Sequence, residues 1–498
     1  MVQLESQIQE TKRALYFMYD QRRQLKSEIN RVHDPIAHRV PPEIASNIFG
    51  FCIPDERSTS KGILSLSKKE FATPLRLGAV CQYWRRIVWS TPQLWTFIQI
   101  NLVASDMQAS YDIVRQWLAR SGRLPLLIHI DTPKRSPGHL SVIRSDVASG
   151  FPLIELINLH CDRWRQLSLS IPSTFFSLFC RESSSLSMLH TLRLECCSGS
   201  RGRFNIQNMK PGPEFISLTD FRVKAINVEW DNVREVELKT CQLQDCFELL
   251  KQATRLTHCT FHGVWHDEPG SSLLPVNYVL HPQLKVLSIS CRDKILDPFF
   301  SKVTFPSLDV LSFDNYIGRD PSPIGSLISF FDRSNSRLTE LHITEVDAKD
   351  DLVSLLEALP SLLKLEIVRK YGNYSPDDLL KCLAETSITS GSHENGTKMP
   401  FLPELEVFRY WTGSAFSFEL IPGIFGPLSE LHNPRRRPLN VLHIHLDHDM
   451  EDPNTYIDEE ILPSILDIVE AGLNLKIVCR DSPKPDLIKA SMEYHDMI

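Results

Sequence analysis

The stretch of this chain best furnished with catalytic residue types is LHIHLDHDMED, at residues 442–452. Strand alternation places His443, His445 and Asp447 on one face, with His448, Asp449 and Glu451 close behind. Imidazole and carboxylate donors in that pattern suit zinc or a harder cation, and with it metal-dependent hydrolysis. The competing reading is structural. Leu442, Ile444 and Leu446 face a core, and the histidines are the solvated row of a strand that runs into an acidic loop. The sequence favours this second reading, so neither a metal nor a cofactor is expected.

Other chemistry is thinner still. The chain contains no G-x-S-x-G, no G-x-x-x-x-G-K-[ST], no H-E-x-x-H and no G-x-G-x-x-G. Arg435, Arg436 and Arg437, between Pro434 and Pro438, suit a phosphate or nuclear-import patch, but the sequence favours a solvated turn. Twelve cysteines lie scattered without a C-x-x-C pair; Cys196, Cys197, Cys241 and Cys246 read as small buried hydrophobes. No enzyme is expected.

Bulk composition narrows the partners. The 498 residues carry 54 basic and 61 acidic side chains, a net charge of −7, which gives no general attraction to nucleic acid. No run approaches the ~18 apolar residues of a membrane span, and the opening MVQLESQIQETKRAL has no signal-peptide core. Singly scattered cysteines in so long a chain point to a reducing compartment, cytoplasm or nucleus.

Four elements organise the chain. Residues 1–33 carry a heptad seam: Leu4, Ile8, Thr11, Leu15, Met18, Arg22, Leu25, Ile29 and Val32 alternate spacings of four and three. This predicts a coiled-coil helix that forms a homodimer, binds a partner helix, or lies against its own chain. Residues 34–100 follow as a helical module. Pro41 and Pro42 suit a first helical turn, and Ile44, Ile48 and Phe51 form a stripe behind them. Leu77, Val80, Cys81, Trp84, Ile87 and Val88 paint one face of a helix predicted across residues 75–89, before the STPQLW that stops it.

From about residue 100 the texture becomes repetitive. An apolar triplet at positions i, i+3 and i+5 recurs as Trp164/Leu167/Leu169, Leu189/Leu192/Leu194, Val233/Val236/Leu238, Leu256/Cys259/Phe261 and Leu284/Leu287/Ile289. It continues as Leu308/Leu311/Phe313, Leu338/Leu341/Ile343, Leu362/Leu365/Ile367, Leu405/Phe408/Tyr410 and Leu439/Leu442/Ile444. Steps of 23 to 30 residues dominate, with 34, 43 and 44 also present, and helical spacing fills the gaps. That predicts an irregular α/β solenoid of leucine-rich-repeat type over residues 101–480, with long insertions at 198–230 and 385–400. Residues 481–498 read as a frayed tail.

VPPEIASNIF followed by PLRLGAVCQYWRRIV and STPQLW resembles the three-helix F-box-like module abundant in fungal proteins. The matching residues are Pro41, Glu43, Ile48 and Phe49, then Val80, Cys81, Trp84 and Arg85; QWLARSGRLPLLIHI is similar to the helix–turn–strand that follows there. Val40 stands where leucine is usual, and the loop 54–73 is longer than in compact F-boxes. The resemblance implies docking on the small Skp-family adaptor of a cullin–RING (SCF-type) ubiquitin ligase, with the repeats recruiting an unknown protein substrate. It implies adaptor contacts by Val40, Pro41, Pro42, Glu43, Ile44, Ile48, Phe49, Leu77, Val80, Cys81, Trp84 and Arg85. The alternative from residues alone is a coiled-coil-tethered repeat scaffold with no ligase role.

Overall fold

A computed structural model describes residues 2–33, 36, 39–53, 71–102, 107–132, 151–179, 188–197, 202–204, 210–265, 277–291, 295–315, 323–344, 352–369, 376–387, 401–413, 416–447, 456–479 and 486–495. The chain divides into two compact units, residues 1–213 and 214–498.

The first unit opens with a long helix, α1 (Val2–His33), whose described side chains are nearly all exposed. Three short helices follow: α2 (Pro42–Gly50), α3 (Thr73–Gly78) and α4 (Gln82–Ser90). Here the structure corrects the sequence reading, because residues 75–89 are two helices rather than one. Two local causes explain the break. An added Cβ on Gly78 would lie 2.1 Å from Cζ3 of Trp89, so only glycine lets that indole cross the end of α3. Cys81 then turns extended and caps α4, its Sγ accepting the Trp84 N–H at 3.4 Å.

Four parallel strands complete this unit: β1 (Phe97–Asn101), β2 (Leu126–Asp131), β3 (Trp164–Ile171) and β4 (Thr191–Cys196), paired in chain order. Helix α5 (Met107–Arg120) links the first two. Register stacks Ile98, Ile128, Leu167 and Leu192 in one buried row and Ile100, Ile130, Leu169 and Leu194 in the next. The expected boundary at residue 100 therefore falls inside a ladder strand.

The second unit repeats the scheme with ten strands in chain order, each parallel to the next. They are β5 (Phe215–Thr219), β6 (Glu235–Lys239), β7 (His258–Val264), β8 (Val286–Cys291) and β9 (Val310–Asn315), then β10 (Glu340–Thr344), β11 (Lys364–Arg369), β12 (Val407–Thr412), β13 (Val441–Leu446) and β14 (Asn474–Cys479). Leu287, Leu311, Leu341, Leu365, Phe408 and Leu442 form one continuous buried row. Parallel strands packed on both faces read as unbroken apolar runs; these alternate because only one face is buried. Each unit thus holds a parallel α/β ladder of the solenoid kind, and every apolar triplet read from the sequence contributes to one of them.

Two further expectations change, and a third is left open. The segment 198–230 is not wholly an insertion: β5 lies within it, bringing Ile216 and Leu218 into the buried rows. It escaped notice because Pro213 occupies the upstream apolar position of its triplet. Most of the insertion expected at 385–400 lies outside the described residues. The expected frayed tail holds a helix, Leu487–Tyr494, which Asp486 caps at Lys489 N–H. Its Leu487 and Ser491 are buried, and the Ser491 hydroxyl accepts the Ile457 N–H at 3.0 Å. No helix among the described residues is long and apolar enough to cross a membrane.

Candidate docking site at the N-terminal helices

Helices α2 and α4 lean on a compact aromatic core. Ala45, Phe49, Ile87, Val88, Leu94, Trp95 and Trp117 are buried together, with Val40, Leu77, Tyr83, Trp84 and Trp89 packed half-buried around them. Phe49 and Trp84 meet at 4.7 Å between ring centroids, and Trp95 meets Trp117 edge to face at 5.1 Å. The Trp95 indole donates to Val88 O at 2.9 Å, which satisfies its buried polar atom. Arg120 lies over Trp89 and Trp95, 4.8 and 4.6 Å from the ring centroids. Burial there holds its guanidinium below the ordinary arginine value.

Against this closed interior the outer side of α2 stands bare. Ile44 is 50% exposed, Ile48 40% and Phe51, one turn on, 89%. Leu75 and Val80 are exposed on α3 and on the turn after it. Pro41, Pro42 and Glu43 at the start of α2 are exposed as well.

The structure sorts the other expected contact residues differently. Phe49 and Cys81 are buried, the first as core and the second as the cap of α4, so neither reaches the surface. Val40, Leu77 and Trp84 are half-buried against the core, and Val40 O accepts the Tyr83 hydroxyl at 3.4 Å. Arg85 is exposed but committed inward, donating from Nε to Gly78 O at 2.8 Å and bracing the α3–α4 turn. Sequence spacing marks all these positions as apolar or basic; only the packing of Trp84 on Phe49 tells which side is used up. Leu75 was missed because it falls on no stripe with Leu77 and Val80.

The histidine strand is described only as far as residue 447. No group of three or more His, Cys, Asp or Glu side chains among the described residues could hold a metal ion. His443 Nε2 sits 3.2 Å from Asn474 Oδ1, and His445 stacks flat on Trp411 at 4.5 Å. Burial, helped by the charges of Lys476 and Arg409, outweighs the Asn474 hydrogen bond and holds the His443 imidazole below its ordinary value. His448, Asp449 and Glu451 lie outside the described residues. Around this row the half-buried face of the second unit carries a charge relay that the sequence did not reveal. Lys364 pairs with Glu340; His342 lies 3.8 Å from Glu340 and 3.4 Å from Glu366; Glu366 lies 3.6 Å from Arg409. In-register parallel strands bring these residues together, and register is invisible in one strand's sequence.

The arginine run is not wholly a solvated turn: Arg435 is exposed, but Arg436 and Arg437 turn inward. Arg437 is buried, donating from Nε to Leu402 O at 3.0 Å, from Nη1 to Leu383 O at 2.8 Å and from Nη2 to Phe401 O at 2.7 Å. Burial, with the neighbouring charge of Arg436, pushes its guanidinium down to about 10. Arg436 in turn donates to Phe425 O at 2.8 Å. These side chains satisfy orphan backbone carbonyls. The Cys241 and Cys246 sulfurs are buried 3.8 Å apart, and desolvation raises the Cys246 thiol well above its ordinary value, which leaves it unreactive. Compared with known protein families and with curated proteins, the chain matches no family model and no curated protein.

Proposed function

We propose that this chain is a non-enzymatic substrate-recognition subunit of an SCF-type ubiquitin ligase, docking on a Skp-family adaptor through α2 and the α3–α4 turn. The observation that carries the reading is the bare row Ile44, Ile48 and Phe51 on a helix whose opposite side is fully packed. A large exposed apolar row on an otherwise well-buried protein marks a partner site. The F-box-like residues Pro41 and Glu43, at the start of the same helix, and Val80, on the turn after α3, are exposed as well. In this reading the half-buried face of the second unit, with its charge relay and the Trp411–His445 stack, recruits the target. The place of action is then the cytoplasm or nucleus, where such ligases work.

Ile44→Asp with Ile48→Asp tests it. Both side chains are exposed, so the far-UV circular dichroism and thermal midpoint should hold. Losing the burial of two half-exposed isoleucines removes about 2–3 kcal/mol of docking, some 30- to 150-fold in affinity. Co-elution of the double variant with the adaptor at wild-type strength would reject this site. Failure of the wild-type chain to co-elute at all would remove the ligase role and leave a repeat scaffold.

A further inference from the structure

Helix α1 has an apolar seam that no described residue covers. Leu4, Ile8, Leu15, Met18, Leu25 and Ile29 are all exposed, along a helix of 32 residues. An isolated amphipathic helix gains its stability from packing of that stripe, so a seam of this length is built for a second helix. The seam's two polar members say which helix.

Put two copies side by side in parallel and each seam residue meets itself. Arg22 then faces Arg22 in a closed layer, which is like-charge repulsion, and Thr11 faces Thr11. Put them antiparallel, with the two-fold axis between Tyr16 and Phe17, and the seam matches its own reverse. Leu4 meets Ile29 of the second copy, Ile8 meets Leu25, Leu15 meets Met18, and Thr11 meets Arg22; in every pair the two numbers add to 33. Three apolar residues of one half find apolar partners in the other. Both polar seam positions fall into the same layers. The Thr11 hydroxyl donates to Gln7 O at 2.8 Å, which leaves its oxygen lone pairs to accept from the Arg22 guanidinium.

The flanking positions agree. Flanking side chains meet two residues off the seam layers, which sets Glu5 beside Lys26 of the second copy, an opposite-charge pair made twice by symmetry, and Gln7 beside Glu28. The Asp20–Arg23 ion pair, 3.9 Å apart, sits outside the seam and is undisturbed.

From this self-complementarity we propose that residues 2–33 form an antiparallel homodimeric coiled coil, with Arg22 and Thr11 as the paired polar layers that fix orientation and register. A polar residue at a seam position sets orientation at some cost in stability. The proposal stands independently of adaptor docking, since no residue of α1 belongs to that site.

Light scattering on the full chain should give twice the 57.1 kDa chain mass. Leu15→Asp with Met18→Asp should halve it and leave the far-UV circular dichroism of the remaining fold in place. Orientation is read by cross-linking. Chains carrying Leu4→Cys mixed with chains carrying Ile29→Cys should give a disulfide-linked dimer under mild oxidation. Either variant alone should stay at the wild-type background set by exposed Cys52. A wild-type monomer overturns the proposal, including when a different protein proves to occupy the seam. Self-cross-linking of the Leu4→Cys chain overturns it too, because only a parallel pair brings that residue against itself.

Discussion

Helix α2 and the strand β11 carry apolar residues at similar density, yet one hides them and the other does not. On β11, Leu365 and Ile367 lie between the matching rows of β10 and β12 and are buried. On α2, Ala45 and Phe49 are buried while Ile44 and Ile48, on the adjacent face, remain open. The difference is one of neighbours. A ladder strand is flanked on both sides by copies of its own pattern, so stacking completes its core automatically. A short helix in a three-helix module has too few neighbours for two apolar faces, and the surplus face is left exposed.

That contrast is most directly broken by truncating each side. Leu365→Ala should cost about 3 kcal/mol of stability, because the rigid rows above and below cannot close the cavity. Ile44→Ala should cost less than ~0.5 kcal/mol, as expected for an exposed site. Urea unfolding midpoints of the two variants measure this. Equal costs would mean that Ile44 is buried in solution and that the row on α2 is ordinary core.

The ladder was legible because its period-two pattern repeats, and each Leu-x-x-Leu-x-Leu unit confirms the next. Where a repeat lost one member, as β5 did with Pro213, a single sequence gave no means to restore it. The terminal helix Leu487–Tyr494 was missed for a related reason: of its buried residues only the neighbours Leu487 and Ile488 are large and apolar, and Ala490 and Ser491 are small and read as surface. Arg437 shows the opposite failure, a charged residue in a basic run that is buried because carbonyls of residues 383 and 401–402, distant in the chain, converge on it. In the N-terminal helical module, the residue types were readable but their division between core and surface was not. Phe49 and Ile48 are adjacent in the chain and of similar hydrophobicity; only the position of Trp84 decides which is buried.

Gly78 sharpens the comparison from the module's side. The module has few neighbours, so it relies on close fits within itself, and the tightest is Trp89 across Gly78. Gly78→Ala must displace a tryptophan that also meets Trp95 at 5.4 Å and lies under Arg120. Overpacking of this sort costs about 1–3 kcal/mol. A lowered thermal midpoint with altered tryptophan fluorescence is the expected result. An unchanged midpoint would mean that the indole swings aside freely and that the module is looser than its aromatic contacts imply.

The smallest effect concerns the half-buried face of a ladder, where polar residues take the place that Ile44 holds on the helix. His129 of β2 lies in register with Gln99, Ser168 and Arg193, its Nδ1 3.1 Å from the Ser168 hydroxyl. Burial lowers its proton affinity below the ordinary value of 6.5; Asp131 and Glu195 pull it back up, while Arg193 pushes it further down. The sign follows from the proton count. Above pH 6.5 the imidazole is neutral in both states and contributes nothing. As the pH falls below that, the unfolded chain takes the proton first, and stability drops until the folded chain is protonated too. His129→Gln, which keeps a hydrogen-bonding group for Ser168, should therefore flatten the loss of unfolding midpoint between pH 6.5 and acid relative to wild type. If the two curves run parallel, the ladder face is as wet at His129 as α2 is at Ile44, and the contrast between the two regions would be confined to their apolar atoms.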